Sequence, residues 1–231
     1  MLEDDETNNR EYERGVWESL YGSDPVCKQA LSETRDAFKA YFEQGHDTDI
    51  KGLFEELAPD AQSGKRFKSP FMYLDNVHPK AWSIILEHGK HYRPLSLSRE
   101  KPQEWENQPL SRSCFLNAME MVYMARELNK KSRAVYVEGF SMGSVVYPML
   151  HAWTGSGFAG KCYDWTFYAT TMFTRYFGVP FTYEEYKFMT ANADGNDFSC
   201  MMLFRRDNFE RVEGKMLEVL RKPRTRLMRP K

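Results

Sequence analysis

Cysteine is scarce in this chain, and scattered. Only four occur in 231 residues: Cys27, Cys114, Cys162 and Cys200. No two form a C-x-x-C pair, which removes a zinc site of that spacing and argues against a disulfide framework in so long a chain. Net charge is lacking too. With 32 basic against 33 acidic residues, the formal charge is −1, so the chain as a whole is no polyanion binder. Long apolar runs are missing, and the longest mostly apolar stretch, SVVYPMLHAW, is too short to span a bilayer. The opening MLEDDETNNREYERG is acidic and polar where a secretory signal is basic and then apolar. The expected setting is a reducing cytoplasm with free thiols, away from membranes, and no cofactor or metal ion is expected.

What is present is an ordinary globular composition, 42% hydrophobic and 28% charged, with length enough for a real core. Aromatics reach 15%, which predicts extensive ring packing or a ring-lined groove. The first hundred residues read mostly as helix. REYERGVWESLY, VCKQALSETRDAFKAYFEQG, DIKGLFEELAP and HPKAWSIILEHGK are amphipathic, and Pro79 suits a first helical turn. A polar loop, SREKPQEWENQPLSRS, leads into SRSCFLNAMEMVYMARELN, a helix with Cys114 on its first turn.

The period then changes. RAVYVEGF, VVYPMLHAW and KCYDWTFY read as three strands, the last two joined as an antiparallel hairpin through TGSGFAG. ATTMFTRYFGVP reads as a short helix stopped by Gly178 and Pro180. Thr182 and Glu185 spell a capping box for the next helix. SCMMLFRR reads as a late strand, and DNFERVEGKMLEVLRK as a terminal helix before a basic tail. The division expected is a helical region at 1–100 packed on the core, a core with a C-terminal helix at 101–221, and a tail at 222–231. That tail, within RKPRTRLMRPK, is read as solvated; it is the one segment with the charge to touch nucleic acid.

Three residues carry the chemistry. On a helical wheel, Ala118, Met121, Val122, Ala125 and Leu128 share one side with Cys114, while Glu120 and Glu127 lie opposite. Unpaired N–H groups at a helix start favour negative charge, so a thiol there with a cationic partner is poised to ionise. Of five histidines, four lie in polar surroundings of the N-terminal part; His151 lies mid-strand, on one face with Met149 and Trp153. Cys162, Asp164 and Thr166 share a face of the next strand. A hairpin symmetric about residues 157 and 158 sets His151 opposite Asp164, with Cβ atoms about 4.5–5.5 Å apart. Nucleophile, base and orienter are then assembled, as in cysteine acyl-transfer enzymes. Each residue also has a quieter reading: Cys114 as a small core hydrophobe, His151 as a satisfied core histidine, Asp164 as a turn cap or an arginine's partner.

SCFLNA, YPMLHAWTG and CYDWT, in that order, resemble the transglutaminase-like branch of the papain-like cysteine enzymes over residues 105–185. YVEGF and YFGVPF are similar to segments of small uncharacterised bacterial or phage proteins of that class. Phe115 stands where many such domains carry tryptophan, and D-W-T replaces their D-P-T. The acyl-CoA-dependent arylamine acetyltransferases use the same three residue types, but their glycine pair before the cysteine is absent. The resemblance implies an α+β fold with a papain-like or transglutaminase-like core, the cysteine helix packed on an antiparallel sheet.

It also implies acyl transfer or hydrolysis at an amide through a thioester on Cys114, of protease, amidase or transglutaminase type. His151 serves as base and Asp164 as orienter. The substrate expected is a protein, a peptide or a small amide. Oxyanion donors are the Cys114 backbone N–H and, among side chains, Gln108, Gln103 or Asn117; Trp153 is a further candidate to line the substrate site. Glu138 is left between lining the cleft and pairing with an arginine. The alternative is a non-catalytic binding module of the same fold, such as a phage factor acting on a host protein.

Overall fold

The longest strand is built from a segment in which nearly every side chain is excluded from water. AVYVEGFSM forms β2 (Ala134–Met142), buried at every position after the first. A strand buried on both faces must have something packed on each. On one side, alternate residues of all five strands meet: Tyr92, Val135, Val137, Trp153, Cys162 and Tyr176 form a cluster of their own. On the other, Tyr136, Phe140, Met142, Ala152, Phe177, Val179 and Phe181 join the apolar faces of the helices. The first set fills the bore of a barrel and the second is its coat.

The computed structural model describes residues 50–67, 72–94, 114–142, 149–157, 160–164, 166, 175–191 and 201–222. Among these, the helices are α1 (Ile50–Gln62), α2 (Pro79–His88), α3 (Cys114–Leu128), α4 (Tyr183–Thr190) and α5 (Arg206–Arg221). The other strands are β1 (Lys90–Pro94), β3 (Met149–Ser156), β4 (Gly160–Tyr163) and β5 (Arg175–Phe181). The fold is α+β, a closed five-stranded barrel in the order β1-β4-β3-β2-β5 with helices around it. Only the β1–β4 joint is parallel. Among the described residues no helix is long and apolar enough to cross a membrane. The helices expected before residue 50 and the basic tail from 223 lie outside the described residues.

The region expected to be helical up to residue 100 also supplies a strand. KHYRP forms β1 and closes the barrel between β4 and β5. The helices before it pack on the coat: Phe54 of α1 stacks on Phe140 with ring centroids 3.7 Å apart, and Trp82 of α2 lies 5.4 Å from both rings. Such aromatic pairs contribute about 0.5–1.5 kcal/mol each beyond the area they bury.

Two expected elements change type. RYFGVPF is strand β5 and not the end of a helix. Gly178 and Pro180, which look like helix stops, have strand roles here. Gly178 faces Gly139 across the β2–β5 ladder, and a Cβ on Gly139 would sit 2.3 Å from the Phe177 carbonyl oxygen. The two backbones approach so closely only because neither carries a side chain.

The late strand expected in SCMMLFRR is also absent from its described part, 201–206, apart from a single bridge between Arg205 and Val77. Side chains take the place of a ladder there. The Tyr186 hydroxyl donates to the Met201 carbonyl at 2.6 Å and accepts its N–H at 2.8 Å. The Glu138 carboxylate accepts the N–H groups of Leu203 and Phe204, both at 2.8 Å. The capping box stands as spelled: Thr182 accepts from Glu185 N–H at 3.1 Å, and the Glu185 carboxylate accepts from Thr182 N–H at 2.8 Å.

Candidate active site

Helix α3 begins at Cys114 and lies across β2 and β3. Its buried residues are Asn117, Ala118, Met119 and Val122, whereas Leu128 is 75% exposed. The apolar sector expected to run as far as Leu128 therefore holds only in the N-terminal half, which is the half pressed on the barrel. Thr154 of β3 pins it there, donating from Oγ1 to the Ala118 carbonyl at 3.2 Å.

His151 projects from β3 on the bore side, level with Gly139 of β2. Asp164 follows the last residue of β4. The hairpin pairs Thr154 with Tyr163 and Gly155 with Cys162, two residues away from the register that would set Asp164 opposite His151. The reason is that β3 continues through Ser156, and the turn begins at Gly157 with φ of 82°. A slip of two keeps every side chain on its face, so Asp164 becomes a diagonal neighbour of His151. The contact survives: His151 Nε2 lies 2.7 Å from Asp164 Oδ2. Both residues are buried, at 1% and 7% exposure.

Cys114 lies near enough to the imidazole for its side chain to act on the ring electrostatically. Cys114 is half-buried, whereas His151 and Asp164 are buried. Burial disfavours charge on His151, but its interactions with Asp164 and then with Cys114 outweigh it. The imidazole pKa is pushed up from 6.5 to about 10.

The circuit closes back on the helix. Thr166 N–H donates to Asp164 Oδ1 at 3.2 Å. Asn117, one turn beyond Cys114, donates from Nδ2 to Thr166 Oγ1 at 3.0 Å. Asn117 is thus engaged with the D-W-T turn. Trp153 is packed in the bore at 1% exposure, its ring 6.2 Å from His151 and 5.0 Å from Tyr176, and lines no open cleft there. Gln103 and Gln108 lie outside the described residues.

Among the described residues Glu138 has no arginine partner. Its donors are the Leu203 and Phe204 amides and the Tyr136 hydroxyl. Burial pushes its carboxyl up from 4.5 to about 7, against those three hydrogen bonds. Among the described residues no three His, Cys, Asp or Glu side chains gather as a metal site would need.

One residue of the array is missing from the sequence reading. Tyr176 donates its hydroxyl to Asp164 Oδ2 at 2.8 Å. Reading RYFGVPF as a strand would have found it, because period two then sets Tyr176 on the bore side with Gly178. Neither a model of a known family, nor a curated protein, nor a solved structure matches this chain.

Proposed function

We propose that this protein is a cysteine-dependent acyl-transfer enzyme with a core of the transglutaminase-like or papain-like kind, working in a reducing cytoplasm. The observation that carries the reading is the buried His151 ring, bonded to Asp164 at Nε2 and near enough to the helix-start Cys114 for the two side chains to interact. An imidazolium beside a thiol favours the nucleophilic thiolate.

Cys114 Sγ attacks the carbonyl carbon of an amide in a protein, a peptide or a small molecule. The His151 proton passes to the departing amine as the C–N bond breaks, leaving a thioester. Water or a second amine then attacks that thioester, His151 takes its proton, and the sulfur is released. Asp164 keeps the ring in the orientation both steps need. The oxyanion donor assigned in this reading is the Cys114 backbone N–H, at the start of α3.

Incubation with activated acyl esters and a panel of amides, followed by intact mass and peptide mapping, tests this. The expected result is an acyl adduct on Cys114 that turns over and is absent from Cys114→Ala. If no acyl donor labels Cys114 while the protein is folded, the acyl-transfer reading fails and the binding-module reading takes its place.

A further inference from the structure

Asp164 stands just beyond the end of β4, so no strand ladder fixes it. Its carboxylate is held by hydrogen-bond donors on both oxygens. Oδ1 takes the Thr166 N–H at 3.2 Å, and Oδ2 takes both His151 Nε2 at 2.7 Å and the Tyr176 hydroxyl at 2.8 Å. Tyr176 belongs to β5, which pairs with β1 and β2, whereas β4 pairs with β1 and β3. The phenol therefore reaches Asp164 across the bore, from a strand that is not its neighbour. The ring itself has little freedom. It is 3% exposed and meets Trp153 edge-on at 67°, with centroids 5.0 Å apart.

A carboxylate gripped this way cannot turn about its Cβ–Cγ bond without losing a hydrogen bond on each oxygen. We propose that Tyr176 is a positioning residue for the acyl-transfer reaction: from the opposite side of the barrel its hydroxyl holds Asp164 at the angle that aims the His151 ring at Cys114. The inference rests on the reading of Cys114 as the nucleophile. The phenol is suited to the task because it remains a donor. Burial first, and then the adjacent Asp164, raise its pKa well above 10.

Tyr176→Phe removes one oxygen and keeps the ring against Trp153. The readout is the rate of Cys114 alkylation by iodoacetamide, followed by peptide mapping at pH 6 and pH 9. A purely structural hydroxyl would not change the ratio of the two rates. The expected result is a rate about tenfold lower at pH 6, the scale on which partners of a catalytic group act, and little change at pH 9. Incorporation of 3-fluorotyrosine, whose phenol is more acidic, provides a second variant of the same shape should the phenylalanine protein fail to fold; it should alter the pH 6 rate and leave the pH 9 rate alone. If wild-type Cys114 reacts at pH 6 no faster than free cysteine, the acyl-transfer reading falls and takes the inference with it. If wild-type reacts fast and both Tyr176 variants match it at pH 6, that reading stands and the role of Tyr176 is refuted.

Discussion

Asp164 and Glu138 are both carboxylates inside the protein, 7% and 0% exposed, and they are satisfied by different partners. Asp164 has an imidazole, a phenol and one amide. Glu138 has a phenol and two amides, with no cation among its partners. Among the described residues, the imidazole is the partner that Asp164 has and Glu138 lacks. Glu138 sits on the coat side of β2 and replaces a missing strand for 203–204. Asp164 sits at the end of the bore and is bonded to the His151 ring. A buried carboxylate is thus no functional signal in itself; the signal is what it orients.

The largest effects should pull the two apart. Asp164→Asn is expected to lower the acylation rate by a factor on the order of 10⁴ while the protein stays folded. Loss of that carboxylate also removes the leading cause that raises His151, so the ring should titrate lower by NMR. A variant that keeps full activity would erase the distinction drawn between the two acids.

Glu138→Ala should do the reverse, costing about 1–3 kcal/mol for each buried donor left unpaired, read by denaturant melts. Tested at temperatures where it is folded, it should still acylate Cys114. A loss of acylation there without a loss of stability would assign Glu138 to the site instead.

Stability against pH should resolve the pair into two windows. Folded Glu138 holds its proton up to about 7 against an ordinary 4.5. The folded state binds the extra proton in between, so this contribution is full below 4.5 and lost as pH rises through 7. His151 holds its proton up to about 10 against 6.5. Its contribution is full below 6.5 and lost as pH rises through 10. Urea melts from pH 4 to pH 10.5 should show both declines, with Glu138→Gln flattening the acid one and Asp164→Asn the alkaline one. The smallest effect is a control away from both acids: Thr182→Ala should cost about 1 kcal/mol of stability through the lost helix cap and leave acylation unchanged.

Much of this was legible in the chain. The period-two pattern of RAVYVEGF and the turn glycines mark β2 and the hairpin, and the first-turn position of Cys114 marks the thiol. The pairing of His151 with Asp164 survives the register slip because parity, and not the exact register, decides the face. Strand β5 was hidden by Gly178 and Pro180, residues that end helices far more often than they fill inner strands. The stretch at 201–205 imitated a strand because it is apolar, yet its hydrogen bonds run to side chains distant in sequence. No periodicity announces such a partner. Tyr176 was lost along with its strand.

The strand that closes the barrel lies before the cysteine helix. Residues 90–94 must wait for residues 160–163 and 175–181 before they have partners. These are long loops to close, and barrels assembled from distant segments form slowly. A chain emerging from the ribosome at about 5–20 residues per second therefore exposes Cys114 well before the carboxylate that orients its histidine has been synthesised. During that interval Cys114 is without His151 and Asp164. On the proposed reading, an unfinished or interrupted chain carries the thiol without the groups that would activate it.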